Sequence, residues 1–240
     1  MFSIIGLAIA AAAGVVMPEP VDVTIQHYDT DAAFSTAYGG DVFLALESRW
    51  GDNGGSGEWE TGIWDASHQV VDSDQNTYPN GDVVYWYVTY DPSVGTVTFE
   101  VGDSVVSYEV GEWSGEDIII RTRAAKENTS ISVDDLWFFG AAPDYTWGTI
   151  SGSSYTSYSE GGVDILWLSG LSLGNGFTLT GTTTMTWDGT PSQPYRSALA
   201  MQIKFGESVV PEPATMTLFG IGLAGYTLVR IKRRHGQNRG

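Results

Sequence analysis

Between residues 96 and 110 the chain alternates apolar and polar side chains in two runs separated by two residues, and this pattern constrains the fold more than any other. Val97, Phe99 and Val101 alternate with Thr96, Thr98 and Glu100; Gly102-Asp103 interrupts; Val106, Tyr108 and Val110 then alternate with Ser107 and Glu109. A period of two is that of an extended strand with one face buried, and a Gly-Asp pair between two such runs predicts a two-residue hairpin. With Val101 facing Ser104, Phe99 opposes Val106 and Val97 opposes Tyr108, so one register puts all the apolar residues on one side. Leu199, Met201, Ile203 and Phe205 repeat the alternation. Residues 83–90 carry large apolar groups at both parities, which predicts a central strand covered on both faces. Further strands are expected at 42–46, 118–122, 131–138 and 164–173.

Turn residues punctuate these runs at short intervals: Gly39-Gly40, Asn80-Gly81, Gly140, Gly161-Gly162, Gly174-Asn175-Gly176 and Asp188-Gly189. Short strands with frequent glycine turns predict an all-β fold, a single antiparallel sandwich or jelly roll. A 3.6-residue apolar period is missing from the middle of the chain, although a short helix around residues 123–128 fits the composition.

Charge excludes one class of partner. The 240 residues hold 11 Lys plus Arg against 29 Asp plus Glu, a net of −18, and binding nucleic acid requires clustered bases. The bases that do cluster, Arg230, Lys232, Arg233 and Arg234, lie at the C-terminus. Residues 14–210 hold 6 bases against 28 acids, a net of −22. There is no cysteine, hence no disulfide framework, thiolate metal site or Cys nucleophile.

Both ends read as processing signals. Residues 1–16 are almost wholly apolar, and Ala11 and Ala13 supply the small-x-small pattern that a signal peptidase cleaves. At the other end Pro211-Glu212-Pro213 precedes the apolar stretch 214–229, which precedes the basic cluster. Sixteen helical residues span roughly 24 Å, slightly less than a bilayer core. The positive-inside rule keeps the basic cluster cytoplasmic and puts the preceding chain outside the cytoplasmic membrane. Prolines on both sides of Glu212 keep that segment extended, as a protease requires. The triplet Pro18-Glu19-Pro20 has no basic cluster after it and reads as coincidence or linker.

This order of motif, apolar helix and basic tail resembles the PEP-CTERM sorting signal of Gram-negative bacteria. The resemblance implies recognition by an exosortase, a membrane-embedded cysteine protease-transpeptidase that cleaves near the motif and delivers the protein to the cell surface or extracellular matrix. Glu47-Ser48-Arg49-Trp50-Gly51, Gly57 to Ile63, Val133 to Leu136 and Gly176 to Gly181 resemble the W-type choice-of-anchor extracellular domains, which implies a β-rich displayed domain and supplies no catalytic residues. The expected organisation is a signal peptide at 1–13, an N-terminal segment with the first strands at 14–40, a β-sandwich at 41–208 and the sorting signal at 209–240, with its membrane helix at 214–229.

Three features of the middle region bear on ligands. The acidic segments 52–58 and 72–76 offer oxygen-rich loops for Ca²⁺ through Asp52, Asp72 and Asp74, yet the second departs from the EF-hand at Thr77 and Val83, and a solvated acidic loop is the favoured reading of it. Nine tryptophans, at 50, 59, 64, 86, 113, 137, 147, 167 and 187, serve as core or, where exposed, as a platform that stacks on sugar rings. Thr178, Thr180, Thr182, Thr184 and Thr186 put five hydroxyls on one face of a strand, which solvent-facing β-propensity accounts for.

Catalytic motifs are lacking. Only His27 and His68 lie outside the tail, neither in a zinc-binding pattern, and no nucleophile elbow or phosphate loop occurs. The expectation is a non-enzymatic exported protein without cofactor, meeting signal peptidase, exosortase and, transiently, the inner membrane, and associating with exopolysaccharide. The alternative is a carbohydrate-binding module or glycan-active hydrolase at the same location.

Overall fold

The computed structural model describes residues 23–50, 58–113, 115–141, 147–150, 152–188 and 199–207. In chain order they form β1 (Thr24–Tyr28), α1 (Asp31–Tyr38), β2 (Asp41–Trp50), β3 (Glu58–Asp65), β4 (Val70–Thr77), β5 (Val83–Asp91), β6 (Thr96–Val101) and β7 (Ser104–Glu109). There follow β8 (Asp117–Ala124), β9 (Thr129–Gly140), β10 (Trp147–Thr149), β11 (Ser154–Ser157), β12 (Val163–Ser169), β13 (Phe177–Trp187) and β14 (Leu199–Glu207). Two antiparallel sheets pack as a sandwich. Sheet A has the order β1-β12-β8-β14-β2-β3-β4; sheet B has β10-β9-β13-β5-β6-β7, with β11 also paired to β9.

The hairpin of β6 and β7 has the expected register, Val97 opposite Tyr108, Phe99 opposite Val106 and Val101 opposite Ser104. Gly102 turns it with a φ of 57°, a conformation costly for other residues. The alternating residues of β14 behave likewise: Leu199, Met201, Ile203 and Phe205 are buried between the sheets. Leu44, Leu46, Ile118, Ile120, Leu166 and Leu168 of sheet A meet Trp86, Val88, Phe99, Ile131, Phe138 and Leu179 of sheet B in one core. At one side of the sandwich the edge strands are tied, the Ser107 amide of β7 donating to Asp72 Oδ2 of β4 at 2.8 Å. At the other side Thr122 of β8 and Ser154 of β11 share a buried hydroxyl hydrogen bond of 2.8 Å.

The outer face of sheet A is covered in part by α1, which the sequence pattern does not announce. Thr30 caps it by accepting from the Ala33 amide at 3.1 Å, and Gly39 ends it with a φ of 59°. Phe34 and Tyr38 on this helix pack against Trp167, Ile119 and Ile165, a second apolar cluster on the far side of the sheet. Arg121 fastens the helix start, its Nε and Nη2 each donating to an Asp31 carboxylate oxygen at 2.7 Å. That hydrogen bonding holds the Asp31 carboxyl below its ordinary range against the opposing effect of burial. Lys204 is pushed down, chiefly by desolvation and then by the Arg121 charge.

Three expectations of element type or extent change. Residues 123–128 are not helical: β8 continues to Ala124, and the chain turns through Asn128 at a φ of 59°. The segment 72–76 is strand β4 rather than a loop. The strand expected at 164–173 stops at Ser169, where Gly170 takes a φ of 85°. Among the described residues no helix is long and apolar enough to cross a membrane. The segment 214–229 lies outside them.

Candidate functional site

The most distinctive surface is the outer face of sheet B, and a single irregularity in β9 creates it. Ile131 and Val133 point into the core, so strict alternation would also send Trp137 and Phe139 inward. Between Thr180 and Thr182 of β13 the pairing shifts, Thr180 facing Trp137 and Thr182 facing Asp134. Two residues of β9, Asp135 and Leu136, thus oppose Gly181 alone, and Asp135 takes a φ of 52°. Past this bulge the parity inverts. Leu136 and Phe138 are buried, whereas Trp137 is 37% and Phe139 42% exposed.

Gly181 is required by space rather than by backbone conformation. A Cβ there would lie 2.6 Å from Trp86 Cζ2 and 2.9 Å from both Asp134 O and Leu136 Cδ2. The bulge, Trp86 and Leu136 therefore fill the volume that a side chain would take.

On the other side of β13 lies β5, where Val84, Trp86, Val88 and Tyr90 are buried and Val83, Tyr85 and Tyr87 are exposed. The expectation of a strand covered on both faces is corrected here: Tyr85 is 63% and Tyr87 43% exposed. Pairing sets the plan of the surface. Thr180 lies between Trp137 and Tyr87, Thr182 pairs with Tyr85, and Thr178 pairs with Phe139. Thr180 thus has a ring on each neighbouring strand, while Thr178 lies between Phe139 and Thr89 and Thr182 between Asp134 and Tyr85. The Trp137 and Phe139 rings lie 6.1 Å apart, nearly parallel at 10°. Thr180 Oγ1 donates to Trp86 O at 2.8 Å, which leaves its oxygen lone pairs toward solvent as acceptors. Thr182 is buried, its hydroxyl donating to Asp134 O at 3.3 Å beside the bulge.

The remaining residues of interest scatter. Trp50, Trp86, Trp113 and Trp167 are core, Trp64 and Trp187 are half-buried, and the side chains of Trp59 and Trp147 lie outside the described residues. All five alternating threonines do share the outward face of β13. Asp72 and Asp74 sit on β4 with their carboxylates accepting backbone amides, Asp72 from Ser73 and Ser107 and Asp74 from Gln75. Among the described residues no three His, Cys, Asp or Glu gather as a metal site would require. His27 is on β1 and His68 in the turn between β3 and β4, at opposite edges of sheet A. Asp52, the Ala11 and Ala13 cleavage positions, Pro211, Glu212 and Pro213, and the cluster Arg230, Lys232, Arg233 and Arg234 lie outside the described residues.

Sequence reasoning singled out Trp137 and the threonines but missed Tyr85, Tyr87 and Phe139. The signal was present in the adjacent acids Asp134-Asp135, which break the period between Ile131, Val133 and Leu136, Phe138.

The family model for the PEP-CTERM protein-sorting motif matches residues 209–234, so the chain carries the sorting signal of an exported, exosortase-processed protein. A search of the curated proteins finds no match.

Proposed function

We propose that the protein is a non-enzymatic component of the cell surface or extracellular matrix, with a structural or interaction role and an association with exopolysaccharide. The precursor enters the inner membrane, signal peptidase removes residues 1–13, and an exosortase cleaves near Pro211-Glu212-Pro213 and releases the sandwich outward. The observation that carries this reading is the sorting motif at 209–234 directly following the last strand of the sandwich, β14, which ends at Glu207. The strong negative charge of that sandwich suits a domain that stays soluble outside the cell.

Fractionation of cells with and without the exosortase tests it. Expected is a surface or matrix pool that disappears from exosortase-deficient cells, with the membrane fraction gaining the uncleaved precursor. An unchanged distribution would overturn the proposal. A second reading, a carbohydrate-binding module, is favoured by the exposed rings of Trp137, Phe139, Tyr85 and Tyr87 on one sheet face. Polysaccharide binding by the purified protein tests that reading independently of sorting.

A further inference from the structure

We propose that the threonine row of β13, between the rings of β9 and β5, is a trough that holds one extended chain of an uncharged polysaccharide, lying along the strand. The inference rests on the carbohydrate-binding reading and specifies its site and ligand class.

The geometry follows from pairing. β13 is flanked by β9 and β5, and neighbouring strands lie about 4.8 Å apart, so the two walls rise from backbones separated by about 10 Å. Trp137 and Phe139 form one wall and Tyr87 and Tyr85 the other, staggered along the strand so that they face each other across Thr180, with Thr178 and Thr182 at the ends of the floor. From Thr178 to Thr182 the floor runs about 14 Å. A six-membered sugar ring presents C–H groups on its faces and hydroxyls around its edge. The walls supply apolar ring surface for the former, while the threonine oxygens and the two tyrosine hydroxyls supply partners for the latter.

Charge selects an uncharged ligand. None of the strands of sheet B contains a Lys or Arg. Arg49, Arg121, Arg123 and Lys204 all lie on strands of sheet A. Among the described residues the charged neighbours of the trough are acids, Glu100 opposite Tyr87 and Asp135 beside Thr182. A carboxylated or sulfated polymer is repelled by them. A peptide is disfavoured for a different reason: β13 is hydrogen-bonded on both sides and offers no free edge to an added strand. The bulge at Asp135-Leu136 turns the first wall outward, and Thr182 beside it is buried.

The test uses the full chain, solubilised from cells in mild detergent, and affinity electrophoresis through gels holding a panel of neutral glucans, mannans and galactans, or alginate as the acidic counterpart. Expected is retardation by at least one neutral polymer and none by alginate. Trp137→Ala and Tyr87→Ala, one from each wall, should each weaken binding about tenfold, as loss of a central aromatic anchor does. Tyr158→Ala, which removes an equally exposed ring from the 3₁₀ turn after β11, should leave binding unchanged. Should Trp137→Ala lower the melting temperature, Phe139→Ser and Tyr85→Ser replace it as wall variants. Retardation by alginate equal to that by every neutral polymer, no retardation by any neutral polymer, or equal loss in Tyr158→Ala would overturn the trough. Because exosortase-dependent surface display does not depend on this binding, a wall variant that is displayed normally but fails to bind separates this inference from the sorting function.

Discussion

Gly181→Ala probes the bulge that creates the aromatic surface. Gly181 faces the core, where the added methyl would sit 2.6 Å from Trp86 Cζ2 and 2.9 Å from Leu136 Cδ2 and Asp134 O. Carbon atoms in contact normally lie about 3.5–4.0 Å apart, so each approach is roughly 0.6–1.4 Å too short. Trp86 and Leu136 are both fully buried, and a close-packed interior yields little to an added methyl. Overpacking of this kind costs about 1–3 kcal/mol. For a domain of this size each kcal/mol lowers the melting temperature by about 2–4 °C, so a mid-range cost of about 2 kcal/mol gives a loss of about 4–8 °C. Thermal melts followed by circular dichroism read the shift. A double-mutant cycle with Trp86→Phe removes the atom in closest conflict. The cost of Gly181→Ala should then fall by about 1 kcal/mol relative to the Trp86 background. An unshifted melt, or an identical cost in both backgrounds, would refute the packing account of the bulge.

Other expectations are smaller in scope. Phe138→Ala, at a fully buried position beyond the bulge, should cost about 3–5 kcal/mol, measured by urea unfolding. Asp31→Asn removes a carboxylate that Arg121 holds below the ordinary value of 3.8. Its folded-state value is depressed, so its contribution is present above pH 3.8 and disappears as pH falls through the lower folded value. Wild type and variant should therefore differ in melting temperature at neutral pH and converge as the pH falls below the ordinary carboxylate range. Ser154→Ala breaks the buried hydroxyl pair with Thr122 and should cost about 1–2 kcal/mol, with Thr122→Val in the same background recovering part of it. A chelator should shift the melting temperature by less than about 1 °C, since Asp72 and Asp74 are already engaged by backbone amides.

The fold was legible wherever period-two alternation and turn glycines acted together. The β6–β7 hairpin shows this, because its register follows from which residues must share a face. α1 was not legible: eight residues provide only about two turns, and its apolar contacts, Phe34 and Tyr38 on Trp167, come from a strand more than a hundred residues away. Burial on the outer sides of the sheets was equally hidden. β8 and β5 both carry large apolar groups at both parities, yet Ile119 of β8 is covered by the cluster beneath α1, whereas Tyr85 and Tyr87 of β5 are left exposed. Which outer face receives a cover is a tertiary fact. The parity of Trp137 and Phe139 depends on a single inserted residue, whose only local trace is the Asp134-Asp135 pair.

The most direct test of the account is the intact mass of the protein released from the surface of cells that possess the exosortase, compared with cells that lack it. The predicted result is a chain without residues 1–13 that ends near Pro211-Glu212-Pro213, and an uncut C-terminus only where the exosortase is missing. Recovery of residues 214–240 on the surface protein of exosortase-containing cells would contradict it.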